Sequence, residues 1–370
     1  MGGAQYLCKG KKINVYKMET NRIVFLDYVR VLACFMVIMV HSCEFFFIDG
    51  SEIGIRTADD GFWVSLIDSA FRCSVPLFVM TSSYLLLPLQ RSTGAFFRRR
   101  FVRVVVPFAV WSVLYATLPV LWGDMQPADV GPALLRLLTN FNDASGHLWF
   151  IYMLLGLYLF MPVLSPWLEK AGKRELQGFL VLWFLSTFWH YAHRFVPSLY
   201  GECYWNEFHT LWYFSGFIGY LVLAHYVRRY IDWPLRKALT VGGLCFAAGY
   251  AFTAVVFYER TFTADTLQSL ELSWRFNSFN VVLATFGVFV MCKSLFRNRR
   301  PGYGLVNRLS GLSYGIYLMH IFILGFSYRL VEGLFSTPVT IVVVGCTTFV
   351  ACCLLSALLS RLPGSRYLLG

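Results

Sequence analysis

The sequence predicts an all-α fold, a polytopic bundle of about ten membrane-spanning helices with both termini in the cytoplasm. Its 370 residues are 57% hydrophobic and only 14% charged, and the mean hydropathy is +0.58. Apolar runs of about 20 residues, long enough to cross a bilayer as a helix, recur along the whole chain. Lys and Arg are concentrated in alternate connections between these runs, which is the pattern that the positive-inside rule requires.

Ten spans are predicted at the apolar runs, and the connections between them are too short to hold a soluble domain. If the N-terminal tail is cytoplasmic, the connections rich in Lys and Arg all fall on that side. Residues 1–22 are then a basic cytoplasmic tail, and residues 23–370 form one membrane domain. The predicted spans are 24–47, 62–88, 102–122, 147–168, 175–194, 208–227, 237–258, 274–295, 305–327 and 336–360.

The charge distribution also excludes some classes of function. A net charge of +12 would suit a nucleic-acid-binding protein, but the basic residues follow the cytoplasmic connections, so we expect no nucleic-acid partner. Their natural partners are the headgroups of the lipid bilayer and, equally, an anionic cytosolic substrate. The ten Cys lie mostly in apolar runs without zinc or redox spacing, and no metal site is expected.

The first span carries four polar groups that an anchoring helix would not need: Asp27, Arg30, His41 and Glu44. Each charge in hydrocarbon costs about 2.5–3.5 kcal/mol on insertion scales. Arg30 and His41 project from nearly the same helix face, ~16 Å apart along the axis, and Glu44 is one turn beyond His41. This indicates a polar pocket with His41 as general base. A buried His that only bonds a neighbouring helix is the alternative.

The second span repeats the pattern with Asp68 and Arg72, at the i, i+4 spacing of an intrahelical ion pair. Such a pair is either purely structural or part of a cavity wall. Pro76 is expected to kink the helix. The polar run that follows it contributes Ser82 and Tyr84 as predicted tunnel-lining residues.

At the entrance of the third span lies the densest basic cluster of the chain. The planar guanidinium fork of Arg suits phosphate, although the positive-inside rule alone also predicts basic residues here. That rule explains Arg103 less well, because this residue lies inside the apolar run. The cluster consists of Arg98, Arg99, Arg100 and Arg103.

The fourth span opens with His147 and Trp149 at the outer face, where they could meet a sugar ring or belong to an interfacial aromatic belt. The outer connection 190–209 holds three His, with no spacing typical of a metal site. His320, inside the ninth span, is interpreted as a structural residue.

These residues lie in segments that resemble the membrane acyltransferase-3 family. The spacing of Arg30 and His41 matches the first-helix motif of that family, and Arg100 with Arg103 matches its Arg-x-x-Arg motif. Ser83 departs from the family, which commonly has Gly there. The similar segments, in the family's order, are 26–41, 74–87, 96–115, 147–164, 312–320 and 360–370.

The resemblance implies an integral membrane O-acyltransferase. It would move an acyl group, typically acetyl, from cytoplasmic acyl-CoA to a hydroxyl of a cell-surface or lipid-linked carbohydrate. Acetyl-CoA would be a co-substrate, with no permanently bound cofactor and no metal. A multi-pass protein of the cell membrane is expected, and the bacterial inner membrane is its expected location.

The resemblance also implies roles for the polar residues. His41 would be the catalytic base, with Glu44 or another acid such as Asp68 holding the imidazole, and Arg30 would position the donor. The arginine cluster would bind the phosphates of acyl-CoA. Acceptor or tunnel-lining roles fall to Asp68, Arg72, Ser82, Tyr84, His147 and Trp149.

Several alternatives remain open at this stage. A secondary transporter or flippase of a polar small molecule or glycolipid would also carry buried charges in a many-helix bundle, although no inverted repeat is visible. A transient acyl-histidine intermediate is a variant of the proposed chemistry. The acceptor, the length of the acyl chain and the oligomeric state stay undetermined.

Overall fold

The computed structural model describes residues 22–140, 143–196, 198 and 216–370. Within these residues, seven helical segments are long and apolar enough to cross a membrane, or eight if a pair bent by 40° counts as one span. Almost all regular structure is helical, apart from two paired strands of two residues each. The prediction of an all-α polytopic membrane protein is therefore confirmed.

The described helices are numbered here in chain order. Short 3₁₀ turns at Leu118–Trp122, Pro127–Asp129, Asp143–Leu148 and Glu271–Trp274 join some of them, and the two strands Ile48–Asp49 and Glu52–Ile53 follow the first helix. The helices are α1 (Val24–Glu44), α2 (Ala58–Phe71), α3 (Ser74–Leu86), α4 (Thr93–Thr117), α5 (Val130–Arg136), α6 (Trp149–Lys170), α7 (Lys173–Ser186), α8 (Trp189–Phe195), α9 (Ile218–Tyr230), α10 (Leu235–Arg260), α11 (Leu267–Leu270), α12 (Phe279–Leu295), α13 (Tyr303–Val331), α14 (Thr337–Leu359) and α15 (Arg366–Leu369).

Two of the ten predicted spans are not among these seven or eight. The predicted span 175–194 is divided between α7 and the short α8, which are separated at residues 187–188. The predicted span 208–227 begins outside the described residues, and its described part is the 13-residue α9. The basic tail 1–22 lies outside the described residues except for Arg22.

The second predicted span is broken, but not at the residue that the sequence indicated. The break comes at Arg72 and Cys73, between α2 and α3, and Pro76 is only the third residue of α3. A proline in the first turn of a helix does not interrupt it, because the N–H that it lacks would have no intrahelical partner there. Pro76 therefore lies in the first turn of a new helix and does not kink an existing one.

α1 lies alongside α13, and the two helices run in the same direction. Near their beginnings, the buried carboxylate of Asp27 accepts hydrogen bonds from Ser310 (2.7 Å) and Tyr303 (3.0 Å). At their other ends, the ring of Phe45 stacks on that of Tyr328 with 3.9 Å between centroids. Contacts at both ends in matching order require parallel helices, as predicted for the first and ninth spans.

The neighbouring helices follow the predicted alternation of direction. α4 is parallel to α13, since Val104 accepts from Tyr314 and Leu318 accepts from Tyr115 farther along both helices. α12 and α14 are both antiparallel to α1. Phe25, near the beginning of α1, packs edge-to-face on Phe289 of α12, and Phe35 packs edge-to-face on Phe349 of α14. The contacts at the other ends of these helices follow in the reverse order along the chain. Which side of the bundle faces the cytoplasm stays a prediction.

α10 and α12 approach each other so closely that glycines are required between them. A Cβ atom added to Gly242 would come 2.6 Å from Met291 Cγ and 2.8 Å from the carbonyl oxygen of Gly287. At the adjacent Gly243 an added Cβ would meet nothing within 4 Å. Small residues that let backbones approach are a common way of joining helices in lipid, where apolar burial gives little net attraction between them.

This contrast predicts opposite effects for two adjacent substitutions. Gly242→Ala should lower the stability by about 1–3 kcal/mol, because the added methyl group overpacks the helix contact. Gly243→Ala should leave it unchanged or raise it by about 0.5–1 kcal/mol, because it removes a flexible residue from a helix interior. Thermal unfolding of the detergent-solubilised variants measures both. Equal midpoints for the two variants would contradict the proposed close packing.

Candidate functional site

The centre of the candidate site is His41, in the last turn of α1. Its Nδ1 atom lies 2.8 Å from Oε1 of Glu44, one turn farther along, so the two side chains form a local pair. A carboxylate can only accept, so Nδ1 carries the proton in this arrangement and Nε2 keeps a free lone pair. The side chain of His41 is 16% exposed and that of Glu44 is 35% exposed. The pair is thus sheltered but accessible.

An open cavity of about 500 Å³ gives access to this pair. Its wall combines the end of α1, the second half of α13, the end of α4 and the connection that follows α4. Most of the lining is apolar or aromatic, with a small number of polar groups, which is typical of a ligand pocket. The lining residues are His41, Glu44, Phe45, Ile48, Tyr115, Pro119, Trp122, Asp124, Met125, Ile321, Phe322, Leu324, Gly325, Phe326, Tyr328 and Arg329.

Two further histidines lie beside His41, and neither of them lines the cavity. The ring centroid of His320 is 5.1 Å from that of His41, and His147 is 5.1 Å from His320 and 6.5 Å from His41. Both additional side chains are buried, with His320 fully inaccessible. The three rings come from α1, from the turn before α6 and from α13, which is why sequence spacing gave no hint of the cluster.

The bonds of these two histidines leave one nitrogen of each ring without a partner. Nδ1 of His320 bonds the backbone carbonyl of Tyr317, and the ring of His147 lies near the carbonyl of Leu318. The hydroxyl of Tyr115 donates to the same Leu318 carbonyl at 2.9 Å. The Nε2 atoms of His147 and His320 have no hydrogen-bond partner in the structure.

The rim of the cavity carries a polar group that the sequence did not single out. Asp124 accepts from the indole N–H of Trp122 at 2.8 Å and from Nη2 of Arg329 at 2.6 Å. Trp122 and Asp124 come from the connection after α4, whereas Arg329 comes from the last turn of α13. Only the fold brings them together, although an acid and an aromatic residue in an outer connection were a weak signal.

Asp68 and Arg72 form a closed ion pair away from this cavity. Arg72 binds Asp68 through Nε and Nη2, and the guanidinium lies 3.8 Å from the ring centroid of Trp274. Both side chains are buried. Because Arg72 occupies both carboxylate oxygens of Asp68, the acid that contacts His41 in this structure is Glu44.

Three of the four clustered arginines line a groove of about 870 Å³ at the far end of α4. They are Arg98, Arg99 and Arg103, and Arg366 of α15 lies opposite them. Among the described residues, no acidic side chain lines the groove. Arg103 is exposed, on the face of α4 that lines the groove.

The fourth arginine of the cluster, Arg100, faces a different neighbourhood. It is partly buried and lies within electrostatic range of Tyr158 of α6, as Arg30 does, and Ser82 lies near the same tyrosine. Arg30 itself lies 3.8 Å from Asp27. Arg30, Ser82, Arg100 and Tyr158 therefore form one polar group inside the bundle, between the arginine groove and the middle of α1.

Tyr84 and Trp149 lie apart from both cavities described above. Tyr84 packs edge-to-face on Phe25 and lines a smaller cavity of about 300 Å³ together with Arg300 and Lys293. Trp149 packs with its ring nearly parallel to that of Phe276, 5.5 Å between centroids. Their surroundings are those of packing residues, although His147, two positions before Trp149, belongs to the histidine cluster.

The remaining predicted polar features fall partly outside the described residues, among them His209 and the loop residues 199–208. In the part of the chain that the structure describes, no group of three or more His, Cys, Asp or Glu side chains is arranged to hold a metal ion. The three-histidine cluster therefore does not form a metal site in this arrangement.

Comparisons with known proteins give one match. The model of the acyltransferase-3 family, described as an acyltransferase domain, matches residues 23–357 of the 370. No curated protein and no solved structure matches the chain. The family match covers the candidate site residues named above except Arg366.

The buried pair in α2 yields a prediction about stability. Asp68→Asn should lower the free energy of unfolding by about 3–5 kcal/mol, because it leaves the buried guanidinium of Arg72 without its counter-charge. Asp232→Asn removes an acid from the exposed pair with Arg297 and should change the stability by less than about 1 kcal/mol. Chemical denaturation of both variants in detergent compares them. A small effect of Asp68→Asn would mean that the pair is not a structural element.

Proposed function

The chain belongs to the membrane acyltransferase-3 family and is a multi-pass membrane acyltransferase, and from this premise we propose that acyl-CoA is its donor. The acyl group is proposed to be acetyl, and the acceptor a hydroxyl of a cell-surface or lipid-linked carbohydrate. We further propose that the protein works in the bacterial inner membrane, with the arginine groove on the cytoplasmic side.

The observation that carries this proposal is the His41–Glu44 pair on the wall of the 500 Å³ cavity. A neutral imidazole with its Nδ1–H held by a carboxylate presents Nε2 as a base, in the manner of a catalytic triad. Histidine is the side chain best suited to take up a proton near neutral pH. Among the polar groups of α1, only this pair is both hydrogen-bonded and open to a cavity large enough for a ligand.

The proposed reaction moves one proton and exchanges one bond to the acyl carbon. Nε2 of His41 takes the proton of the acceptor hydroxyl as its oxygen attacks the thioester carbonyl carbon. The carbon–sulfur bond then breaks, and the leaving thiolate of CoA receives the proton from the His41 imidazolium. The carboxylate of Glu44 stabilises the imidazolium while it exists. The products are the ester and free CoA, and His41 is neutral again.

The arginine groove supports the proposal for the donor. CoA carries three phosphate groups, and planar guanidinium groups bind phosphate with two parallel hydrogen bonds. A groove with Arg98, Arg99 and Arg103 and no acidic lining is suited to that ligand. Arg103 and Tyr115, which lines the outer cavity, are twelve residues apart on α4, or ~18 Å at 1.5 Å per residue. The slim arm of CoA would span this distance.

Inside the bundle, the group around Tyr158 is suited to guide that arm. Arg30, Arg100, Ser82 and Tyr158 offer hydrogen-bonding groups between the groove and His41. We assign Arg30 to positioning the donor, because it lies on the same helix as His41, ~16 Å nearer the groove.

The outer cavity supports a carbohydrate acceptor. Aromatic rings and planar polar groups are the usual contacts of sugars, since a sugar presents both apolar faces and hydroxyl groups. Trp122 and Tyr328 supply the rings, while Asp124 and Arg329 supply the planar polar groups at the rim. These residues replace Trp149 as the proposed acceptor contacts.

The proposal predicts that CoA release depends on His41. His41→Ala should lower the rate by about 10²–10⁴-fold, which is the usual contribution of a general base. Glu44→Gln keeps the shape of the pair but removes its charge, and should lower the rate about 10–100-fold. The assay measures CoA release by purified protein with acetyl-CoA and a panel of methyl glycosides.

His225→Ala is the matched control for this experiment. His225 is also a buried membrane histidine, 4% exposed, but it lies in α9 away from the cavity. Its variant should keep the wild-type rate. Equal rates of CoA release for wild type and His41→Ala would refute the proposed role of His41, and the absence of any turnover would favour a transporter.

A second prediction concerns the donor groove. CoA should raise the unfolding temperature of the wild type, and Arg103→Ala should weaken CoA binding about tenfold or more, because a charge-assisted contact with phosphate is lost. Arg300→Ala, on the smaller cavity, removes an equally exposed arginine and should leave CoA stabilisation unchanged. The effect of CoA should also fall with added salt. If Arg300→Ala weakens it as much as Arg103→Ala, the donor site is not the groove.

A further inference from the structure

We propose that the smaller cavity, of about 300 Å³, binds the phosphate group of an anionic phospholipid. This site is separate from the acyl transfer and does not depend on it. It lies at the end of the bundle where α1 begins. The sequence suggested lipid headgroups only as general partners of the basic residues, whereas the structure gathers four of these residues around one cavity.

The wall of this cavity comes mainly from three places in the chain. They are the beginning of α1, the connection between α9 and α10, and the end of α12 with the residues after it. Four basic side chains and one acidic side chain line the cavity, which leaves an excess of positive charge. A basic pocket between helices at a membrane surface is typical of a binding site for anionic lipid headgroups. The basic residues are Arg22, Lys293, Arg297 and Arg300, and the acid is Asp232.

Only part of this positive charge is compensated within the protein. Arg297 binds both carboxylate oxygens of Asp232, at 2.6 and 3.1 Å. Arg22 binds Asp27 in the same two-point way. The exposed side chain of Arg300 forms no ion pair and no hydrogen bond with the described residues. Its guanidinium is therefore available to a ligand in the cavity.

Lys293 is the strongest reason to expect an anion in this cavity. Its side chain is partly buried, and Nζ donates to the backbone carbonyls of Val227, at 2.9 Å, and Ile231. These carbonyls accept two of the three N–H groups of the ammonium but carry no net charge. Asp232 lies within electrostatic range, but its carboxylate is bound by Arg297. A partly buried cation is costly without a counter-charge, and a phosphate in the cavity would supply one.

The surroundings favour a phospholipid over a soluble anion. Lys293 lies in the last turn of α12, and Arg297 and Arg300 follow the end of that helix, at the level expected for headgroup phosphates. Apolar and aromatic side chains complete the wall, among them Phe25 and Trp233. Trp is enriched at membrane interfaces. Only 22% of the apolar part of α10, which follows Trp233, is buried inside the protein, so lipid surrounds this side of the bundle.

The experiment measures how lipids stabilise the full-length detergent-solubilised protein. Phosphatidylglycerol is the anionic probe, and phosphatidylcholine carries a phosphate without net charge. Phosphatidylglycerol should raise the unfolding temperature in a concentration-dependent way, because it binds the folded state, and phosphatidylcholine should raise it much less. Lys293→Met and Arg300→Gln should each weaken the apparent affinity for phosphatidylglycerol about tenfold or more, since each removes a charge-assisted contact with phosphate.

Lys170→Met and Arg308→Gln are the matched controls. They make the same changes at exposed basic residues on the same predicted side of the membrane, and neither residue lines the cavity. Both variants should keep the wild-type affinity for phosphatidylglycerol. The lipid-induced shift is compared within each variant, because Lys293→Met also loses two hydrogen bonds. If Lys293→Met fails to fold, Arg300→Gln decides, because its side chain is exposed.

Three outcomes would overturn the inference. One is equal stabilisation of the wild type by the two lipids, and another is the same affinity for phosphatidylglycerol in Arg300→Gln as in Arg308→Gln. The third concerns a soluble source of phosphate. If glycerol 3-phosphate stabilises the wild type as strongly as phosphatidylglycerol, and this effect is lost in Arg300→Gln, the cavity binds a soluble phosphate and not a lipid. None of these outcomes depends on the assay of CoA release.

Discussion

The buried carboxylate of Asp27 is the interaction on which the arrangement of the site depends. It is 2% exposed and receives hydrogen bonds from Arg22, Tyr303 and Ser310. A carboxylate at the edge of a membrane bundle is costly unless its partners are fixed around it. Asp27 therefore holds the beginning of α1 against the beginning of α13. The sequence separation across the contact is 283 residues at Asp27–Ser310 and 279 at Cys34–Ser313. A nearly constant separation means parallel helices in one register, and that register brings His41 beside His320.

The same rule accounts for the buried structural charges and for the pair at the cavity. Each charge in a span must find its partner inside the protein, because lipid offers none. Asp68 and Arg72 satisfy each other and the face of Trp274. His41 and Glu44 also satisfy each other, yet they line a cavity. Pairing stabilises all of these groups, but only access to a cavity leaves a group free for chemistry.

Whether a contact of the site could be predicted from the sequence depends on whether its residues lie in one helix or in different helices. The pairs within one helix follow from spacing, because residues three or four positions apart share a face; Asp68–Arg72 and His41–Glu44 are of this kind. The contacts between helices do not follow from spacing, so the cluster of His41 with His147 and His320 and the rim at Asp124 and Arg329 were missed. The start of α4 was also misplaced, because the apolar run suggested a helix beginning at residue 102, whereas α4 begins at Thr93 and carries the arginine cluster on its first three turns.

His41 lies near one end of the bundle. This position suits a reaction between a bulky acceptor and a slender donor. The outer cavity is open and about 500 Å³ in volume, which suits a bulky acceptor. The contact between α4 and α13 is closed by hydrogen bonds from Tyr314 to Val104 and from Tyr115 to Leu318. In the proposed reaction, a donor arriving from the arginine groove passes on the other side of α4, beside Tyr158 and Arg30. Only a slender, flexible arm suits such a route, and the part of CoA that carries the thioester is of that kind. In the proposed reaction, the charged end of the donor stays in the groove, and the acyl group alone travels to His41.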